Sequence, residues 1–210
     1  MPDTFPEPRV DWTLDPDRAL LIVHDMQDYF LRSYCRDTSP ATDLMSNVLA
    51  LREACAELKI PVIYSRQPGG QTLAERGLLA DFWGSGIGPA LADTAIPDAI
   101  APSADDRMLT KRRYSAFYGT RLEQLLADER RNQIIICGVY AHIGVYFTAQ
   151  DALNRNIKTF IAADAVASFN REFHDIALRW ATDLLAVVVS TRSINTALRE
   201  AHVSTSHHCP

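Results

Sequence analysis

Residues 19–30 read ALLIVHDMQDYF. The first five, Ala19 to Val23, are apolar without interruption, and Ile22 and Val23 are β-branched. A short continuous run of this kind suits a strand buried on both faces of a parallel sheet. It stops at His24-Asp25, so a carboxylate stands where the strand leaves the core. Ligands of open α/β sheets bind just beyond the carboxyl ends of the strands. Asp25 is therefore a candidate acid with a shifted pKa. The same residue type also caps turns and helices, and this stretch alone leaves both readings open.

Further runs of that character follow along the chain. Pro61–Ser65 (PVIYS) and Met108–Thr110 (MLT) read as the second and third strands, the latter ending at Lys111. Ile134–Cys137 (IIIC) is the clearest central strand, Thr159–Ala162 (TFIA) the fifth and Ala186–Ser190 (AVVVS) the sixth. Between the first two, Leu44, Val48, Leu51, Cys55 and Leu58 recur at spacings of four and three, one stripe of a helix ending near Lys59. Ser39-Pro40 reads as its N-cap followed by Pro at the first helical position. A second helix follows the Gly138–Gly144 turn through about Asn154. A third covers about Phe173–Leu185, with Ile176, Trp180 and Leu184 on one face and Ala177 and Ala181 beside them. A short helix is expected after Ser190.

Helix-sized crossovers between strands imply right-handed βαβ units. The expected fold is a three-layer α/β/α domain with a six-stranded, mostly parallel, Rossmann-like sheet. Residues 1–17 and 203–210 read as peripheral tails. Residues 66–106 carry Gly69-Gly70, glycines at 84, 86 and 88 and prolines at 89, 97 and 102, which predicts irregular backbone with short helices. Long loops in a compact domain are usually functional or disordered.

At 210 residues the chain fits one domain with a sizeable core. Its net charge of −5, with no basic run to offset it, argues against general binding to nucleic acid or anionic membranes. No segment approaches the ~20 apolar residues of a membrane span. The four cysteines, Cys35, Cys55, Cys137 and Cys209, have neither CxxC pairing nor metal-ligand spacing, and His207-His208 is too short a tract to argue a metal. No metal or other cofactor is expected. Without a signal peptide in view, a reducing, cytoplasmic setting is the reading.

Three features now converge on one rim of the expected sheet: Asp25, Lys111 and the Tyr140–Gly144 turn. Together with LTKRRYSAF at 109–117, CGVYAHIGV at 137–145 and AADAVASF at 162–169, they resemble the isochorismatase-like hydrolases. Amidases of that superfamily use an Asp, a Lys and a Cys; here the Cys position falls on Gly144, which has no nucleophile. Cys137 lies seven positions earlier on the buried strand. The Asp-x-His metal pattern of some amidases is replaced by Gln67-Pro68-Gly69.

The resemblance therefore points to the vinyl-ether-cleaving branch, and within it to phenazine-pathway members. It implies Asp25 and Lys111 as catalytic residues. It implies a pocket lined by Gln67, Arg76, Trp83, Tyr140 and the Gly144 backbone, and a cis peptide at Val139-Tyr140. The substrate would be a dianionic isochorismate analogue whose vinyl ether is opened to pyruvate through protonation of the methylene carbon, without a covalent intermediate. By analogy the chain is expected to be a homodimer. Ending at Pro210, it reads as free-standing.

Each residue has a plainer reading. Lys111 stands in a run of three cations that solvent would accept. Arg76 suits a helix surface and Trp83 a core. His142 is a base or, more simply, a packed ring. Gly144 either permits close packing or clears volume for substrate, and the second is the expectation. The competing functions are an amidase of the same superfamily and a catalytically silent binding or scaffold protein.

Overall fold

The computed structural model describes residues 5–206. One sheet contains β1 (Ala19–His24), β2 (Val62–Arg66), β3 (Arg107–Thr110), β4 (Gln133–Val139), β5 (Lys158–Ala167) and β6 (Val187–Val189). Its order is β3-β2-β1-β4-β5-β6, and every neighbouring pair is parallel. The order reverses between β1 and β4, the place where open α/β sheets leave a crevice for ligands. Leu21 lies opposite Ile135 and Val23 opposite Cys137, so the quoted stretch pairs with the strand read as central.

The helices are α1 (Asp28–Leu31), α2 (Ala41–Glu57), α3 (Leu73–Arg76), α4 (Leu79–Trp83), α5 (Leu91–Thr94), α6 (Leu122–Asp128), α7 (Tyr146–Leu153), α8 (Arg171–Leu184) and α9 (Thr191–Ser206). A 3₁₀ turn covers Asp98–Ile100, and a π-helical turn, Ala141–Val145, joins β4 to α7. No helix among the described residues is long and apolar enough to cross a membrane.

Alternation along β1 builds both cores. Leu20 and Ile22 face a cluster with Leu122, Leu126, Ala149 and Leu178 from α6, α7 and α8. Leu21 and Val23 face Leu44, Val48, Leu51, Ile194 and Leu198 from α2 and α9. The expected three layers and the α2 stripe are therefore present. The segment 66–106 carries only short helices and the 3₁₀ turn, as its glycines and prolines predict.

Several local expectations need correction. α2 begins at Ala41 with Pro40 as its N-cap residue and no side-chain cap; the Ser39-Pro40 bond is cis. Ser39 Oγ instead donates to Asp43 Oδ2 at 2.7 Å. Helix α6, buried through Leu122, Leu125 and Leu126, has no counterpart in the sequence reading, because seven residues give too little periodicity to register. In α8 the core side is the one carrying the alanines: His174, Ala177, Leu178, Ala181 and Thr182 are buried, while Trp180 is 56% and Leu184 61% exposed. Alanines let that helix approach its neighbours closely, and bulk is left outside. The expected C-terminal tail is helical through Ser206; His207, His208 and Cys209 lie outside the described residues.

These packings predict a contrast in urea unfolding. Ile22→Ala should cost about 2–5 kcal/mol, the range for deleting a buried branched side chain. Trp180→Ala should stay within about 0.5 kcal/mol, as at a surface site.

Candidate active site

Asp25 follows β1 with φ of 49°, the left-handed region that Asp tolerates better than most side chains. This turns its carboxyl sideways along the rim, where it is only 3% exposed. Ser65, on β2, donates its hydroxyl to Asp25 Oδ1 at 2.7 Å. Lys111 Nζ lies 2.7 Å from Asp25 Oδ2, and Gln67 Nε2 donates to the same oxygen at 3.3 Å. Of the three consecutive cations at 111–113, Lys111 alone is buried, at 2% exposure. Its other ammonium protons reach the carbonyls of Arg113 at 3.0 Å and Tyr114 at 3.2 Å. All three Lys111 donors are thus engaged, so it holds Asp25 rather than reaching for a ligand.

Burial works to raise the Asp25 pKa, but the Lys111 ammonium and the hydrogen bonds from Lys111 and Ser65 prevail and hold it below the usual carboxylate value. The unliganded site therefore contains an ionised Asp25 at neutral pH. Burial pushes the neighbouring His24 down to about 4, so that ring is neutral and adds no charge.

A cavity of about 420 Å³ opens beside this pair. Asp25, Gln67, Arg76, Trp83, Lys111, Tyr140 and Gly144, all seven residues expected at the site, line it. The capping box of α3, in which Thr72 and Glu75 satisfy each other's backbone N–H groups, holds that four-residue helix and with it Arg76. Arg76 is 3% exposed, and its Nε donates to the Gly84 carbonyl at 2.7 Å. No acidic partner faces it among the described residues. Gly86 must be glycine here: its φ is +70°, and a Cβ would sit 2.2 Å from Arg76 Nη1.

Aromatic and aliphatic walls complete the cavity. Trp83 is partly exposed, donates Nε1 to Tyr114 Oη at 2.7 Å and lies 5.9 Å from the Phe169 ring. The Tyr140 hydroxyl is tied to the wall, donating to the Phe30 carbonyl at 2.7 Å with Ser33 Oγ at 3.0 Å. What Tyr140 presents to the cavity is its ring. The Val139-Tyr140 peptide is cis.

One expectation changes and one open choice is decided. Gly144 does not clear volume for a ligand: a Cβ there would meet the His24 imidazole at 2.1 Å. His142 packs against Phe173 with ring centroids 5.1 Å apart and lies outside the cavity, the plainer of its two readings. Cys137 is fully buried, with its Sγ on the Ile22 carbonyl, and burial raises its thiol pKa. Among the described residues no group of His, Cys, Asp and Glu is arranged to hold a metal.

Sequence reading missed the residues behind the wall. Gln27 is fully buried and grips Gln67 twice, accepting from its N–H at 2.7 Å and donating to its carbonyl at 2.9 Å. His24 was also missed. Both lie in the opening stretch, where a polar residue beside a buried strand was the available signal.

The sequence matches the isochorismatase domain family over residues 19–193. It is 44% identical to an isochorismatase of Bacillus subtilis over 197 residues, 94% of this chain and 63% of that protein. The chain thus spans under two thirds of that relative's length. It is 43% identical to phenazine biosynthesis protein PhzD1 of Pseudomonas aeruginosa over 183 residues, 87% of each chain. A cysteine hydrolase structure from Pseudomonas syringae pv. phaseolicola superposes with a TM-score of 0.81 at 23% identity, covering 93% of this chain and 98% of that one, a likeness of fold.

Because Asp25 is held low in the folded state, its stabilising contribution is present above the unfolded value of ~3.9 and is lost as pH falls through the folded one. Lys111→Met removes the main downward influence and leaves a buried lone carboxylate. It should cost about 3–5 kcal/mol near neutral pH. That loss should shrink as pH falls and Asp25 takes up a proton, and adding Asp25→Asn should recover much of it. Urea midpoints at pH ~7 and ~5 for the single and double variants test this.

Proposed function

The chain belongs to the isochorismatase family, and from that we propose that it hydrolyses the vinyl ether of isochorismate or its 2-amino-2-deoxy analogue, releasing pyruvate and a dihydro-hydroxybenzoate or dihydro-hydroxyanthranilate. One observation carries the reading: a buried Arg76 guanidinium without an acidic partner among the described residues shares one cavity with the Asp25 carboxyl. A buried cation without a counter-ion favours an anionic ligand, and guanidinium matches a carboxylate bidentately. The walls of Phe30, Ile87, Trp83, Tyr140 and Phe169 suit the substrate's ring.

In this reading Asp25 protonates the terminal methylene carbon. The oxocarbenium ion that forms takes up water, and the hemiketal collapses to pyruvate and the ring alcohol. No nucleophilic side chain is required. Asp25 must first acquire a proton, since Lys111 keeps it ionised in the free site. A like charge at ~4 Å in an effective dielectric of ~20 is worth ~4 kcal/mol, or ~3 pKa units. One substrate carboxylate near Asp25 therefore drives its pKa upward and favours the protonated acid, with Arg76 offsetting part of the effect. After transfer, Lys111, Ser65 and Gln67 hold the returning carboxylate beside the cationic intermediate, which favours the charge-separated state. Phenazine-like secondary metabolism is the setting we propose, with a homodimer as the assembly.

Asp25→Asn should lower pyruvate release by about 100-fold or more. Release at an undiminished rate would overturn Asp25 as the acid. Presenting the hydroxyl and amino ring analogues side by side identifies the ring substituent; release from neither would overturn the reaction itself.

The acid's two states give a pH signature. kcat/KM, which reports the free site, should fall as pH rises from the acidic side. kcat should persist to higher pH, because bound substrate raises the Asp25 pKa. Calorimetry in buffers of different ionisation enthalpy should register proton uptake when substrate binds the slow Asp25→Glu or Lys111→Arg variants, and no uptake on binding Asp25→Asn.

A further inference from the structure

We propose that His24 is a specificity-determining residue: its imidazole occupies the volume that any side chain at position 144 needs, and so keeps the site free of a nucleophile. The inference rests on packing around residue 144 and is independent of which vinyl ether is cleaved. His24 is wholly buried at the end of β1, one position before Asp25. A Cβ on residue 144 would lie 2.1 Å from its Cε1 and 2.9 Å from each ring nitrogen.

The ring has nowhere to go. Its Nδ1 is 3.0 Å from the Val139 carbonyl, which only accepts, so Nδ1 carries the proton. Its Nε2 then accepts from Thr148 Oγ1 at 3.3 Å, and that hydroxyl in turn accepts from the Ala116 N–H at 2.9 Å. The backbone of 144 is equally constrained, inside the π-helical turn whose Val145 N–H donates to the Tyr140 carbonyl at 3.3 Å. Swinging the imidazole aside would break both of its hydrogen bonds and leave buried polar atoms unpaired.

Position 144 matters because it borders the same cavity as Asp25 and Lys111. A thiol there would stand with an acid and an ammonium around it, the set that activates a covalent nucleophile. The absence of that chemistry therefore resides in two residues. Restoring a cysteine at 144 is not sufficient, because the adjacent strand has filled the space. Positions 24 and 144 should be coupled: each tolerates bulk only where the other lacks it.

The test compares wild type with Gly144→Cys, His24→Val and the double variant, using thermal midpoints and iodoacetamide labelling read on the peptide carrying residue 144. Exposed Cys35 serves as the internal labelling control. Gly144→Cys alone should lose several degrees of midpoint or fail to fold, as overpacking of a chain this size does. The double variant should be more stable than Gly144→Cys, although His24→Val alone is less stable than wild type. The thiol introduced at position 144 of the double variant should be alkylated in the folded state. A Gly144→Cys protein with a wild-type midpoint would overturn the proposal. So would a double variant no more stable than Gly144→Cys, or one whose introduced thiol escapes alkylation. None of these readouts uses substrate, so their failure is distinct from failure of the vinyl ether reading.

Discussion

The ion pair between Asp25 and Lys111, 2.7 Å long and closed to solvent, is the contact on which the site is built. Two charges taken out of water repay their desolvation only when the remaining lone pairs and protons are satisfied. Here they are: Ser65 and Gln67 complete the carboxylate, and the carbonyls of Arg113 and Tyr114 complete the ammonium. The ends of β1, β2 and β3 are thereby tied together on one rim. The left-handed backbone at Asp25 is held by the same network, since the Asp25 N–H donates to the Ser65 carbonyl at 3.2 Å.

That arrangement divides labour between two buried cations. Lys111 is saturated by the protein and sets the ionisation of Asp25. Arg76, on the stretch of short helices but fixed by the Thr72–Glu75 box and the Gly84 carbonyl, keeps hydrogen-bonding capacity toward the cavity. A chain with a net charge of −5 thus encloses a locally cationic pocket, and local field rather than total charge governs which ligand enters. In the proposed reaction that field keeps Asp25 ionised until the substrate's own carboxylate arrives and shifts it toward the protonated form.

Much of this was legible in the residues alone. A five-residue apolar run ending in a carboxylate identified the first strand and its exposed end, and the fold's crevice followed from βαβ topology. The resemblance pointed to Gln67, Arg76, Trp83, Tyr140 and Gly144, which the fold brings to one cavity from separate segments. The pattern left open which side packs where two faces of one element carry comparable hydrophobicity. In α8 the pattern put Trp180 and Leu184 on one face with the alanines beside them, and it is the alanines that face inward because close approach favours small residues. The seven-residue α6 was too short for its period to register.

Sequence by itself determined the strands and their parallel crossovers, the buried stripe of α2, the irregularity of 66–106 and the placing of Asp25 at a strand end, because these depend on local pattern and chain topology. Only the tertiary structure decided what each polar group touches. That Lys111 exhausts its protons on Asp25 and two carbonyls is invisible in the run of three cations. Gln27 clasps Gln67 across 40 positions of chain, and His24, at the end of β1, fills the space beside Gly144 in the turn after β4. No local pattern encodes such contacts; they exist because parallel pairing of β1 with β2 and β4 brings those strand ends to one edge of the sheet.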